Sequence, residues 1–277
     1  MDYEKLFMVP PGDQVRLADR DPAAAPGADK KTAAALLAEN IAVITALQYR
    51  LYAENRRSLL VVLQGMDAGG KDGVVRHVFA PLNPQGCRVV SFKVPSEVEA
   101  AHDFLWRCHL AAPRRGEVVI FNRSHYEDVL VTRVHGAVSA GRCRRRFEYI
   151  NSFENFLIAE ADTTIVKIFL HISPEEQLER LKKRVDDPAR QWKISLADFN
   201  ERQYWNNYRQ AYEEVLEHCG TPEAPWYVIP ADKKWFRDLA VSSIIRRTME
   251  AMNIEMPPPS PDLDEVRRLL AEPEKKS

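Results

Sequence analysis

Between Leu59 and Gly73 an apolar run leads into GMDAGGKDG, in which Gly65 is followed after four residues by Gly70 and Lys71. A phosphate-binding loop has this spacing: glycines let the backbone approach anion oxygens, amide N–H groups point at them, and the lysine adds a point charge. Gly65, Ala68, Gly69, Gly70, Lys71 and Asp72 are therefore the candidate phosphate contacts. Two acids interrupt the pattern. Asp72 stands where a Ser or Thr hydroxyl would ligate Mg²⁺, and Asp67 sits inside the loop. A carboxylate ~4 Å from a phosphate is repelled by about 1 kcal/mol even in water unless a divalent cation lies between them. Asp67 reads as a Mg²⁺ ligand replacing the missing hydroxyl, or alternatively as a turn-forming Asp. Asp72 suits the first turn of the following helix better than a metal site.

A second polar cluster follows the apolar EVVIF: Asn122, Arg123, Ser124, His125, Tyr126, Glu127 and Asp128. Ligands of open parallel sheets lie beyond the carboxyl ends of strands, which puts this segment beside the loop. Arg123 can fork onto a phosphate, and Glu127 or Asp128 can complete the metal site. His125 is a base or, as is commoner for a lone His next to Tyr, a packed and hydrogen-bonded side chain. Arg133, Lys93 just past the second strand and Arg107 on the next helix are further anion candidates.

RLKKRVDDPARQWK (180–193) sets six cations, among them Arg184 and Lys193, against two acids in a chain of net charge −1. It is either a solvated helix face or a mobile lid that closes over phosphates and excludes water. Asp187-Pro188 ends a helix in its middle. RCRRR (142–146) either widens a positive channel or begins a surface helix.

These residues need a scaffold. Five Val-, Ile- and Phe-rich runs (59–64, 88–92, 117–121, 164–172 and 226–230) do not alternate with polar residues, as in strands buried on both faces. Helix-length stretches separate them, so the expected fold is α/β: a three-layer α/β/α unit with a five-stranded parallel sheet and right-handed crossovers. Residues 1–57 read as an irregular arm (1–28) and a helix packing on the core. Residues 58–255 form the phosphate-loop domain with a lid at about 178–205, and 256–277 a Pro-rich, charged tail. The 277 residues, 45% hydrophobic and 29% charged, suit an ordinary globular domain. The near-neutral charge argues against general nucleic-acid binding. No secretory signal and no run near the ~20 apolar residues of a membrane span is read, and the four cysteines form no C-x-x-C pair, so a reducing cytoplasm is expected.

Together GMDAGGKDG (65–73), SFKVPSEVEAAHDFLWR (91–107), RGEVVIFNRSHYEDVLVTRV (115–134), HISPEEQLERLKKRVDDPARQWKIS (171–195) and APWYVIPADKKWFR (224–237) resemble the polyphosphate kinase 2 family. The likeness runs from about Leu51 to Met252. It implies a P-loop kinase-like fold similar to thymidylate kinase, a helical lid, and homodimers or homotetramers. It implies Mg²⁺-dependent, reversible transfer between inorganic polyphosphate and a nucleotide, with Mn²⁺ as a substitute ion. By the same likeness Asp67 and Asp128 are the metal ligands, and Lys71 and Arg123 the main phosphate contacts. Lys93, Arg184 and Lys193 lie along the polyphosphate, and Asn122, Arg107, Arg133 and Glu127 with Arg123 along the nucleotide. Asn-Arg-Ser-His-Tyr-Glu-Asp resembles the subgroup active on both AMP and ADP (class III), with guanine nucleotides as further acceptors. Cys143 and Arg144 depart from the aromatic and basic residues expected there. The nearest rival is an ATP-dependent nucleotide kinase of the thymidylate-kinase-like group; another is a non-catalytic nucleotide or RNA sensor.

Overall fold

Six segments pair into one sheet: β1 (Met8–Val9), β2 (Ser58–Gly65), β3 (Cys87–Ser91), β4 (Val118–Asn122), β5 (Thr163–His171) and β6 (Trp226–Pro230), in the order β1-β6-β5-β2-β4-β3. The computed structural model describes residues 1–259 and 262–271. Every residue of β2 and β6 is buried, which explains why these runs carry no polar alternation: both faces are covered. The helices are α1 (Tyr3–Phe7), α2 (Lys30–Glu54), α3 (Lys71–Val74), α4 (Glu97–Ala100), α5 (Trp106–Ala111), α6 (Glu127–Val134), α7 (Ala140–Ala161), α8 (Pro174–Asp186), α9 (Leu196–Asn200), α10 (Trp205–His218), α11 (Lys234–Ala251) and α12 (Leu263–Ala271). One set of contacting helices contains α1, α2, α3 and α11, and another α6, α7 and α10.

The expected five-stranded parallel sheet is corrected to a mixed sheet of six. Met8 and Val9 pair antiparallel with Tyr227 and Trp226, while all other pairings are parallel. The added strand is too short to show a periodicity in sequence. It is held by packing: Tyr3 and Phe7 set their rings edge-on against Phe236, and Val9 is fully buried. Residues 3–9 of the arm are thus packed on the core, while 10–28 is irregular, as expected, apart from a short turn at Leu17–Asp19. By length and composition α2 passes as a membrane-spanning helix, contrary to the reading above. Here it lies along α11, where Asn40 donates to Ser242 and Ser243 and Glu39 pairs with Arg246. The tail expected over 256–277 contains α12; residues 260–261 and 272–277 lie outside the described residues.

Register places the site. Leu63 of β2 stands opposite Asn122 of β4, and the Arg123 N–H donates to the Leu63 carbonyl at 3.1 Å. The glycine loop and the Asn122–Asp128 segment therefore leave neighbouring strands side by side, at their carboxyl ends.

Candidate active site

The glycine loop takes backbone conformations that few residues accept. Gly70 has φ +109°, and even Ala68 is left-handed at +59°. Side chains from α8 hold it: Gln177 donates to the Asp67 carbonyl at 2.9 Å, and Arg180 Nη1 to the carbonyls of Ala68 and Gly69 at 2.9 and 3.1 Å. Arg180 Nη2 reaches on to Ala231 at 2.5 Å, tying the loop to the end of β6. Fixing these carbonyls is what orients a loop whose amides are to face an anion. Lys71 is 8% exposed and donates to the Gly65 and Met66 carbonyls at 2.6 and 3.2 Å. Burial pulls its ammonium down to about 8, with the nearby Arg123 charge adding to the effect.

Arg123 is left-handed at φ +63°, a conformation costing about 1–2 kcal/mol outside glycine. From there its guanidinium pairs with Asp67 and, at 3.0 Å, with Glu127. Burial disfavours its charge, but Glu127 and Asp67 outweigh that and hold its pKa above the ordinary value. Asp72 accepts from Asn122 Nδ2 at one oxygen and from Lys193 Nζ at the other, both at 2.9 Å. Partial burial raises its pKa, and these two donors more than reverse the rise. The acid in place of a Ser or Thr is thus the point where the loop, the second motif and the basic segment at Lys193 meet.

Asp128, one residue after Glu127, turns elsewhere. Its carboxylate lies 3.5 Å from Arg107 and 3.8 Å from Arg146, and its buried Oδ2 has no hydrogen-bond partner. Burial raises its pKa despite the two arginines. It lines a cavity of about 860 Å³ together with Arg107, Arg142, Arg145, Phe104 and Tyr149. Asp67, Arg123 and Glu127 line a separate, tighter pocket beside Tyr208 and Tyr212. Consecutive residues, Glu127 and Asp128, thus open onto two neighbouring spaces.

The structure gathers Asp67, Arg123 and Glu127 in one cluster, Asn122, Asp72 and Lys193 in a second, and Asp128 with Arg107 in a third. It does not put Asp67 and Asp128 on a shared partner. Arg133 is committed to a bidentate pair with Glu214 of α10. Lys93 is exposed, its carbonyl accepting from Arg107 at 2.8 Å. Arg184 is half-buried on α8. His125 is fully buried, its Nε2 3.1 Å from Glu154, which agrees with packing and not with a base. Among the described residues no three His, Cys, Asp or Glu side chains form a ready metal cluster. Mg²⁺ needs none: it keeps its waters and takes one or two carboxylates plus phosphate oxygens. Asp67 at the loop and Asp128, whose Oδ2 accepts no hydrogen bond and lies 3.5 Å from Arg107, fit such an ion.

Sequence reasoning missed Gln177, and read Arg180 as a lid cation where it is a buried strut. Gln177, Arg180 and Leu181 recur at three and four residues and are all buried, so helical spacing was the available signal. RCRRR resolves the same way: Cys143 faces inward, Arg144 is exposed, and Arg142, Arg145 and Arg146 line the large cavity.

The model of the family described as "Polyphosphate kinase 2 (PPK2)" matches residues 27–257. The chain belongs to the polyphosphate kinase 2 family. It is 47% identical over 257 residues to an AMP/ADP-polyphosphate phosphotransferase of Meiothermus ruber, covering 92% of this chain and 96% of that one. To an ADP-polyphosphate phosphotransferase of Rhodopseudomonas palustris it is 44% identical, covering 82% of each. The crystal structure of polyphosphate kinase 2 from Arthrobacter aurescens TC1 superposes with a TM-score of 0.92 at 40% identity, covering 97% of this chain and 96% of that one. The enzyme is thus a phosphotransferase of the polyphosphate kinase class.

Proposed function

We propose that the enzyme transfers a terminal phosphate from inorganic polyphosphate to AMP and to ADP, reversibly, with guanine nucleotides as further acceptors. The carrying observation is the pair of neighbouring spaces divided at Glu127 and Asp128: the start of the glycine loop, Gly65 to Asp67, with Arg123 on one side, and an arginine- and aromatic-lined cavity on the other. A polyanionic chain suits the loop, Lys71 and the lid cations. A nucleotide suits the cavity, its base against Phe104 and Tyr149 and its phosphates toward Arg107 and Arg123.

Little covalent work falls to the protein in such a transfer, because a phosphate oxygen is already ionised at neutral pH. Alignment and charge neutralisation remain. Mg²⁺, or Mn²⁺ in its place, held by Asp67 with Asp128 as the second carboxylate, would supply charge neutralisation between donor and acceptor phosphates. When anions enter, Arg123 exchanges Asp67 for phosphate oxygens, and Lys71 exchanges the loop carbonyls for the donor chain. Lys193 leaves Asp72 or brings it along as the lid settles over the phosphates. Oligomers built from dimers and a cytoplasmic setting belong to the same reading; four unpaired cysteines suit a reducing compartment.

Purified protein incubated with long-chain polyphosphate, Mg²⁺ and AMP, ADP or GDP in separate reactions tests this. Di- and triphosphates are expected from AMP, and ATP from ADP, with no nucleotide donor present. Turnover with ATP as the sole effective donor would replace this reading with that of an ordinary nucleotide kinase.

A further inference from the structure

Inside the fold, against the Asn122–Asp128 segment, lies a charged cluster that the transfer chemistry does not use. Glu154 of α7 and Lys167 in the middle of β5 are 1% and 0% exposed and pair at 2.5 Å. Glu154 also accepts from the Tyr126 hydroxyl at 2.8 Å and faces His125 Nε2 at 3.1 Å. Lys167 donates to the Cys219 carbonyl at 2.5 Å and to the Tyr126 hydroxyl at 3.3 Å. A lysine in a central strand is costly: desolvating each ion of such a pair takes several kcal/mol, and an apolar pair of similar volume is often as stable or more so. Stability therefore does not account for the pair.

Its geometry does. His125 and Tyr126 are both fully buried and both end on Glu154. They sit between Arg123 and Glu127, the residues that meet Asp67. On the other flank Ser124 accepts from Gln64 at 3.1 Å and from the Tyr126 N–H at 3.2 Å, tying the segment to β2. With 124, 125 and 126 all drawn into the core, the chain has to turn sharply just before them. That turn is the left-handed Arg123, φ +63°. Backbone strain of this kind persists only where the surroundings over-determine it.

We propose that Glu154 and Lys167 are positioning residues for phosphoryl transfer: by holding His125 and Tyr126 in the core they keep Arg123 in the left-handed conformation from which it reaches Asp67 and Glu127. The kinetic part of this proposal rests on the function given above, in which Arg123 meets the transferred phosphate; the conformational part does not.

The test compares the full-length parent, Glu154→Gln/Lys167→Met, Tyr126→Phe, and each combined with Arg123→Lys. Polyphosphate-driven ATP formation from ADP, thermal melting and the crystal structure of the double variant are measured. The double variant is expected to melt near the parent, to lose about tenfold or more in kcat, and to change KM for polyphosphate less than twofold. Arg123→Lys, costly in the parent, should add little in that background, because its geometry is already lost. In the crystal Arg123 should leave the left-handed region and its pair with Asp67. Parent-like kcat, an undiminished effect of Arg123→Lys, or an unmoved Arg123 would overturn the proposal. If the double variant fails to fold, Tyr126→Phe decides: a several-fold kcat loss that shrinks the Arg123→Lys effect supports the proposal, and a normal kcat overturns it. A parent without polyphosphate-dependent turnover would defeat the functional reading alone, leaving the crystallographic outcome to judge the positioning.

Discussion

Lys71 illustrates how burial tunes a lysine at the glycine loop, which the proposed function sets against the polyphosphate. With its ammonium pulled down to about 8, its charged fraction falls from about nine-tenths at pH 7 to about one-tenth at pH 9. KM for polyphosphate should therefore rise up to about tenfold over that interval, and Lys71→Arg, charged throughout, should flatten the profile in steady-state assays. The linkage to folding has the opposite sign. An ammonium whose pKa is depressed in the fold binds fewer protons there than in the unfolded chain, so this group's contribution favours the fold increasingly as pH rises from about 8 towards the ordinary 10.5. Asp67→Asn separates chemistry from folding. The side chain is partly exposed and its substitute keeps its shape, so the melting temperature should move by only about 2 °C. On the proposed function, in which Asp67 holds the Mg²⁺ beside the phosphates, loss of its charge should lower kcat/KM by about 100-fold or more. Near-normal turnover in that variant would remove Asp67 from the site.

At the scale of elements, the basic segment beyond α8 reaches the start of α3 through a pair on the surface. Asp72 and Lys193 are side chains of considerable exposure, and such pairs contribute about 0.2–1 kcal/mol and weaken with salt. Asp72→Asn and Lys193→Gln should each speed tryptic cleavage of the 182–193 segment in the ligand-free protein by about two- to fivefold. The double variant should be no faster than either single, and 0.5 M salt should erase the difference; additive rates would show that no latch exists. Helix α8 was legible because Ser173, Pro174 and the Asp187-Pro188 break are local signals, read from a few neighbouring residues. Arg180 was not, because a charged side chain in a basic run looks solvated until its helix is seen to turn it toward the carbonyls of Ala68 and Gly69, residues 112 and 111 positions away. The paired motifs fared better: Gly65–Lys71 and Asn122–Asp128 follow buried strands directly, and strand order brings their ends together. What composition could not reveal was the split at Glu127 and Asp128. Neighbouring acids on a helix diverge by about 100°, and which of them meets Asp67 depends on the rotation of α6.

At the scale of the molecule, the arm decides how the sheet ends. β6 would be an open parallel edge, an invitation to pair with another chain, were it not covered by Met8 and Val9. The cover is anchored by Tyr3 and Phe7 against Phe236 at the start of α11, and by Val9, all three at most 6% exposed. Each such side chain contributes about 1.5–3 kcal/mol when fully buried, an upper bound because the unfolded chain already hides part of that surface. Removing residues 1–9 should therefore destabilise the enzyme by about 4–6 kcal/mol, or about 10–20 °C in melting temperature for a domain of this size. The uncovered β6 edge and the Phe236 ring should make the truncated protein aggregate near its transition. Turnover per folded molecule well below that transition should be kept, since β6 and β5 stand between the arm and the strand that carries the glycine loop. A calorimetric scan of the truncated protein, with light scattering, reads both effects. An unchanged melting temperature would mean that the arm merely rests on the sheet, and a turnover loss below the transition that the arm acts on the site.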